Sequence, residues 1–269
     1  MTSNNSRIYL GSDLLIENGG GGGGSDFIGI PRELNNGVLQ MPSTPTTYTL
    51  PDGVTDIGDH AMYYAFYKCG NISTVDLSGL TTISGQDALY NAFREAGVQS
   101  VNVPNLTTIT GECGMEQAFQ ANTNLQTIEF PKLVSVGQSG LNSTFYGCSG
   151  LTNISFPELT TIKLRGLEDA FYNCTGLTSV IFDKLSNIGA DYVLSGCFAG
   201  CKSLTDVYLP ALTTNSFGSS TSQFMFWLES IRNPKVHLPS NLSSVSGLTD
   251  KIQSNNGTVQ VLYDLPATS

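Results

Sequence analysis

The sequence predicts an α/β solenoid, a stack of about seven units of 26–27 residues, each with short parallel strands and a short helical turn. Three observations predict it. Phenylalanine recurs at Phe66, Phe93, Phe119, Phe145, Phe171, Phe198 and Phe224, in steps of 27, 26, 26, 26, 27 and 26 residues. Other apolar residues hold fixed offsets from each of these phenylalanines. One unit alone carries too few apolar side chains to enclose a core, so its apolar side can be covered only by the copies on either side.

The elements follow in order from the Phe. The stretch leading into it, as in "GLEDAFYNC", reads as a short helical turn. Three residues after the Phe stand Cys69, Cys148, Cys174 and Cys201, with Ala96, Asn122 and Trp227 in other copies. Six after it stand Ile72, Leu125, Leu151, Leu177 and Leu204. Nine and eleven after it come Val75/Leu77, Ile128/Phe130, Ile154/Phe156, Val180/Phe182 and Val207/Leu209. That alternation is the mark of a short strand with one face inward. Pro104, Pro131, Pro157 and Pro210 close the strand in four copies, where a ladder N–H is no longer needed. A second pair, Leu80/Ile83, Leu106/Ile109, Leu133/Val136, Leu159/Ile162 and Leu185/Ile188, reads as a turn into a second extended piece. The copy of Phe93 is one residue short and gives Val98, Val101 and Val103 instead. Tyr48, Leu50, Val54 and Ile57 form an incomplete copy ahead of the first Phe. Strands paired at ~4.8 Å per layer make seven layers about 30–35 Å long.

The recurrent cysteine falls on the inward side and reads as a small apolar side chain in an internal column. Cys197 and Cys201 are four apart with no histidine beside them, which does not suit a metal site. Disulfides between neighbouring layers are geometrically conceivable but are disfavoured without a secretory signal.

The pattern "AFxxCxxLTxIxFPxLTTI" resembles the BspA-like, or Treponema-type, leucine-rich repeats, over about Tyr48 to Leu238. The resemblance implies a leucine-rich-repeat stack that serves as an adhesive or recognition surface, with no shared catalytic residues. The chain then divides into an N-terminal anchoring segment with a polyglycine linker (1–25), a connector or N-terminal cap (26–47), the repeats (48–238) and a C-terminal cap (239–269). In the last repeat Phe226 and Trp227 are expected to close the core, and "TVQVLYDLP" alternates as a final strand.

The N-terminal segment is different in kind. "RIYLGSDLLIE" reads as a strand pair or strand-turn, and its Ile8, Tyr9 and Leu10 are candidate assembly residues. Gly19, Gly20, Gly21, Gly22, Gly23 and Gly24 read as a flexible linker, or as backbone packed closely about a symmetry axis. No Gly-Lys-Ser/Thr follows, which excludes a phosphate loop. The "IYLG" opening resembles the first residues of structural proteins of phages that infect gut bacteria. That resemblance implies attachment to other virion subunits by the N-terminus, and the protein is expected to be a homo-oligomer, taken as a trimer.

Composition narrows the partners. A net charge of −10 without a basic patch argues against nucleic acid, and no basic cluster would attract anionic lipid. No apolar run is long enough to cross a bilayer, so no membrane insertion is expected. The first residues lack a secretory pattern, so folding in a cytoplasm is expected, the alternative being a signal already removed.

No catalytic arrangement emerges, and the chain is expected to be no enzyme and to need no cofactor or metal. His60 and His237 lie at opposite ends of the array and read as exposed loop residues. The carboxylate pairs Asp56/Asp59, Glu112/Glu116 and Glu168/Asp169 fall on variable turns, where charge is solvated. What remains is surface. The outward positions of the main strand are Thr74 and Asp76, Ser100 and Asn102, Thr127 and Glu129, Asn153 and Ser155, Ser179 and Ile181, Asp206 and Tyr208. They read either as ordinary strand solvation or as a shallow binding strip of hydroxyls and amides, with Ile181 and Tyr208 as apolar contacts. Such a strip suits a host-surface glycan or protein. Thr81/Thr82, Thr107/Thr108 and Thr160/Thr161 form a second ladder, too interrupted by "LVSV" and "LSNI" to order water at ice. The expected whole is a virion appendage assembled in the host cytoplasm. Its rivals are a bacterial cell-surface adhesin and a purely structural virion subunit.

Overall fold

The computed structural model describes residues 47–50, 52–217, 234–245, 248 and 259–268, leaving out the side chains of 215 and 217; of the strands at 7–10, 13–17, 33–35, 38–40 and at 46 it describes the backbone alone. The alternating segments form one face of a parallel solenoid. Its strands are β5 (Thr46–Thr49), β7 (Ile72–Asp76), β9 (Ser100–Asn102), β11 (Thr127–Glu129), β13 (Asn153–Ser155), β15 (Ser179–Ile181), β16 (Asp206–Tyr208), β17 (Lys235–Pro239) and β18 (Gln260–Leu265). The register is set by the period: Val75 lies opposite Val101, Ile128 opposite Ile154, and Val180 opposite Val207. A one-residue slip would turn every apolar side chain outward, so the alternation fixes the pairing. The ladder is interrupted at two steps: β9 and β11, and β13 and β15, lie side by side without forming a hydrogen-bonded pair.

The second apolar pair of each unit makes a second parallel sheet of two-residue strands: β6 (Asp56–Ile57), β8 (Thr82–Ile83), β10 (Thr108–Ile109), β12 (Ser135–Val136) and β14 (Thr161–Ile162). The first Thr of each Thr pair serves this stack. Thr81 Oγ1 donates to Thr55 O at 3.0 Å, Thr107 Oγ1 to Thr81 O at 2.9 Å and Thr160 Oγ1 to Val134 O at 3.1 Å.

The third face corrects the expected helical turn. The stretch before each Phe is a run of overlapping β-turns. In the first layer Tyr63 N–H bonds to His60 O, Ala65 N–H to Met62 O and Tyr67 N–H to Tyr64 O, at 3.0–3.3 Å. The alternate amides point across the layers instead. Met62 N–H bonds to Ala88 O, Tyr64 N–H to Tyr90 O and Phe66 N–H to Ala92 O, at 2.7–2.9 Å. A helix would spend every amide within its own turn and leave nothing to hold the next layer. The cost is a positive φ at every fourth residue, as at His60 (55°), Tyr64 (53°) and Lys68 (57°), the third-residue position that a type II turn requires. Asn91, Asp169 and Asn173 take such positions, residue types that tolerate them best after glycine.

Inside, the phenylalanines stand in single file. Phe66, Phe93, Phe119, Phe145, Phe171 and Phe198 stack with centroids 5.1–5.9 Å apart and planes within 10° of parallel. A second file runs through Phe130, Phe156 and Phe182. Both are fully buried, and stacking adds about 1 kcal/mol per ring pair to the burial itself. Cys148, Cys174 and Cys201 each direct Sγ at the carbonyl of the Phe one layer back, Phe119, Phe145 and Phe171, at 3.0–3.2 Å. All six cysteines are free.

Arg7–Leu10 (β1) and Asp13–Glu17 (β2) form an antiparallel hairpin, the strand pair of the two expected forms, and Glu33–Asn35 (β3) pairs with Val38–Gln40 (β4) in a second. Gly19 to Gly24, Phe224, Phe226 and Trp227 lie outside the described residues. The final alternating segment is β18, which continues the main ladder parallel to β17. No helix among the described residues is long and apolar enough to cross a membrane.

Candidate functional site

The twelve strip positions all fall on the outer side of the main ladder, none of them buried. Thr74 lies opposite Ser100 and Asp76 opposite Asn102; Thr127 opposite Asn153 and Glu129 opposite Ser155; Ser179 opposite Asp206 and Ile181 opposite Tyr208. Two cross-strand bonds order the N-terminal end: Ser100 Oγ to Thr74 Oγ1 at 3.1 Å, and Asn102 Nδ2 to Asp76 Oδ1 at 3.0 Å. Ile181 is 45% exposed. In the middle of the strip the gap between β9 and β11 opens a shallow pocket of about 170 Å³, lined by Asn102, Pro104, Thr127, Glu129 and Pro131 among others. It coincides with the copy that is one residue short, where the ladder breaks.

The C-terminal end of the strip is tied into a cluster that the sequence reading missed. His237 is not an exposed loop residue. It sits in β17, only 7% exposed, with its ring stacked on Tyr208 at 4.2 Å. Nε2 lies 2.9 Å from Asp206 Oδ1 and Nδ1 lies 2.8 Å from Asp264 Oδ2. Three adjacent strands are joined through one ring, and the imidazolium form supplies a donor to each carboxylate. Hydrogen bonds from Thr205 and His237 hold the Asp206 carboxyl below the usual range. The half-buried Tyr208 ring is therefore held in place against His237. His60 is exposed, as expected, and lies 3.3 Å from Asp87 Oδ2.

The carboxylate pairs are more engaged than solvated turns would be. Asp56 Oδ1 accepts Ser84 N–H at 2.9 Å and Asp59 Oδ1 accepts Gln86 N–H at 2.8 Å. Glu112 accepts Gln138 Nε2 at 2.6 Å, and Glu168 accepts Asn142 Nδ2 at 3.1 Å. Burial raises the carboxyl groups of Glu116, Glu168 and Asp169. Each of these bonds ties one layer to the next. Among the described residues no group of three or more His, Cys, Asp or Glu is placed to hold a metal ion. Burial pushes the Cys148 and Cys201 thiols up to about 12, which suppresses the thiolate a nucleophile needs.

A second exposed feature lies on the turn face, at the N-terminal end. Tyr63 and Tyr64 are 41% and 39% exposed. Tyr90 stacks on Tyr63 at 5.2 Å and 11°, and Tyr67 meets Tyr64 edge-on at 5.4 Å. The spacing of Tyr63 and Tyr90, one period apart, was the signal for it in the sequence.

These faces, built on a repeated buried unit, define a leucine-rich-repeat solenoid. The model of the BspA type leucine rich repeat region matches residues 34–163 and 115–247, in 6 copies. The chain belongs to that family. Among solved structures it is similar to a leucine-rich repeat protein of T. pallidum, at 23% identity and a TM-score of 0.45, covering 80% of this chain and 86% of that one. It is also similar to a leucine-rich repeat protein of Bacteroides ovatus, at 21% identity and a TM-score of 0.42, covering 80% of this chain and 53% of that one. No curated protein matches the chain significantly in sequence.

Proposed function

We propose that the chain is a non-enzymatic appendage or decoration protein of a virion, attached through its N-terminal segment and displaying the repeats to a host-surface protein or glycan. The observation that carries the recognition role is the register of the strip. Six strands, in three registered pairs, present outward positions that are polar but for Ile181 and the Tyr208 ring, on a core whose inward positions are apolar. A rigid ladder of hydroxyls, amides and carboxylates recognises without reorganising, which keeps the entropic cost of binding low. The hairpin of β1 and β2 precedes the solenoid as a separate small unit suited to attachment, with Ile8, Tyr9 and Leu10 in its first strand. In this reading the partners are other virion subunits at the N-terminus and a host-surface molecule at the repeats. The protein works as a homo-oligomer, taken as a trimer, without cofactor, nucleic acid or membrane insertion.

Mass spectrometry of purified particles tests the virion role, with the chain expected in stoichiometric amount. The family match favours a second reading, a bacterial cell-surface adhesin. Absence from particles together with recovery from the outer surface of intact bacteria replaces the first reading with the second. The purely structural reading predicts instead that the chain lacking residues 1–40 binds no host cells.

A further inference from the structure

The strip faces one way and the tyrosine cluster another, and the strip reading makes no use of the tyrosines. Four rings, Tyr63, Tyr64, Tyr67 and Tyr90, are in mutual contact on two neighbouring layers of the turn face, with centroids 4.8–5.7 Å apart. Leaving aromatic faces in water is unfavourable, and contiguous exposed aromatic surface on a soluble chain marks a contact. The rings are also held in place. Tyr63 and Tyr64 occupy consecutive positions in the turn ladder, and Tyr64 N–H bonds to Tyr90 O at 2.9 Å. The positive φ of Tyr64 fixes the direction of its side chain against the neighbouring turn. A platform that is rigid before binding loses little entropy when a ligand settles on it.

The size and surroundings of the platform identify the ligand class. Only five large apolar side chains are exposed among the described residues: Tyr63, Tyr64, Tyr192, Val134 and Ile181. Of these only Tyr63 and Tyr64 belong to the platform and neither aliphatic one does, so its apolar area is a few rings wide. A protein interface needs about 800 Å² per partner with an apolar centre, far more than these rings offer. A ring-sized platform rimmed by hydrogen-bonding groups fits a sugar, whose apolar face lies on an aromatic ring while its hydroxyls reach the rim. The rim charges are already paired: Lys68 with Glu95 at 3.8 Å and Arg94 with Glu95 at 3.4 Å, while the His60 ring lies 3.3 Å from Asp87 Oδ2. Lys68 and Arg94 also lie over the Tyr67 ring at 5.1 and 5.8 Å. With these cations engaged and a net charge of −10, an anionic ligand is disfavoured. From the ring geometry and its paired rim we infer that the Tyr63–Tyr64–Tyr67–Tyr90 platform is a binding site for neutral glycans, separate from the strand-face strip.

The test uses the full chain on an array of immobilised neutral oligosaccharides, with gluco-, manno-, xylo- and N-acetylglucosamine oligomers as probes. The chain is expected to bind at least one of these classes. The pair Tyr63→Ala and Tyr64→Ala should weaken that binding about tenfold or more, the factor that loss of stacked rings corresponds to. The pair Tyr63→Trp and Tyr64→Trp, which keeps aromatic faces, should retain it. The strip pair Thr127→Ala and Glu129→Ala, measured beside it, tells binding carried by the strip apart from binding carried by the rings. An unchanged melting transition in each variant shows that the fold is intact. Absence of binding to every neutral probe overturns the inference, as does undiminished binding by the alanine pair. Binding lost only in the strip pair also overturns it, and leaves the recognition role of the strip standing.

Discussion

Asn122 Oδ1 accepts the backbone N–H of Val98 at 2.8 Å, across one layer and in the buried interior. In other layers the corresponding amide closes its own turn: Leu125 N–H bonds to Asn122 O, Leu151 N–H to Cys148 O and Leu177 N–H to Cys174 O, at 3.0–3.1 Å. The copy of Phe93 lacks one residue at that point, so Val98 has no such partner in its own layer. The neighbouring layer supplies one by carrying Asn where four other copies carry Cys. Its Nδ2 still donates to Phe93 O at 2.8 Å, as the thiols donate elsewhere. The missing residue of one layer and the Asn of the next thus meet in one hydrogen-bond arrangement.

Asn122→Ala should therefore cost about 2–3 kcal/mol, because it leaves the Val98 amide buried and unpaired. Asn122→Cys should cost nearly as much, although cysteine is the commonest residue at this position in the other copies, since a thiol cannot replace the acceptor. Urea denaturation of the two variants checks this. A neutral Asn122→Cys would show that Val98 finds another partner.

Gly58, Gly85, Gly111 and Gly137 stand eight residues before their phenylalanines and form a column where backbones of successive layers touch. A Cβ on Gly111 would meet Gly85 O at 1.9 Å, an approach that only backbone movement relieves. Gly111→Ala should destabilise by about 3 kcal/mol, within the upper range of overpacking. Gly70→Ala, where a Cβ meets nothing within 4 Å, should be close to neutral. Thermal melts of the pair check the contrast.

His237→Ala should loosen the last strand first. It removes the ring that joins Asp206 of β16 to Asp264 of β18, and leaves both carboxylates without that partner. The expected cost is about 2 kcal/mol. Limited proteolysis should then cut near β18 while the central layers stay protected.

Stability should rise on mild acidification. Burial raises the Glu116, Glu168 and Asp169 carboxyls in the folded chain, so it binds protons before the unfolded chain does as the pH falls through the upper carboxylate range. Over that window the unfolded state holds fewer protons, and the free energy of unfolding increases. Asp206, held low, acts in the opposite sense and only at more acidic pH. Asp169→Asn should flatten that rise as the pH falls from neutrality towards the usual carboxylate range. Chemical denaturation at a series of pH values measures both slopes.

The sequence made the layers legible because their logic is periodic. The Phe file, the inward pairs Val180/Phe182 and Ile128/Phe130, and the ends of strands at proline all follow from one repeat length. The turn face was misread as helical because "GLEDAFYNC" carries helix-forming residues, while its amides are in fact shared between layers. Positive φ at Asp169 and Asn173 has no periodic apolar signature, and glycine takes that role only at Gly147, Gly196 and Gly200. His237 was missed for a different reason. It stands 31 residues from Asp206 and 27 from Asp264, close to one period on each side, but the copy that holds it has extra length that hid the alignment. The tyrosine platform was visible only as Tyr63 and Tyr90 one period apart, and nothing in a sequence says that both rings face solvent.

The central claim is that each layer is held by its neighbours, so that a rigid surface stands on a core with no independent parts. Hydrogen exchange on Phe145→Ala tests it most directly. The substitution should cost about 3–5 kcal/mol. It should speed exchange in both directions along the stack: at Met115, Gln117 and Phe119 of the preceding layer, whose amides bond to Gly140, Asn142 and Thr144 carbonyls, and at Leu167, Asp169 and Phe171 of the following layer, whose amides bond to Val193, Ser195 and Cys197 carbonyls. Faster exchange confined to the layer of Phe145, with Phe119 and its neighbours unaffected, would contradict it.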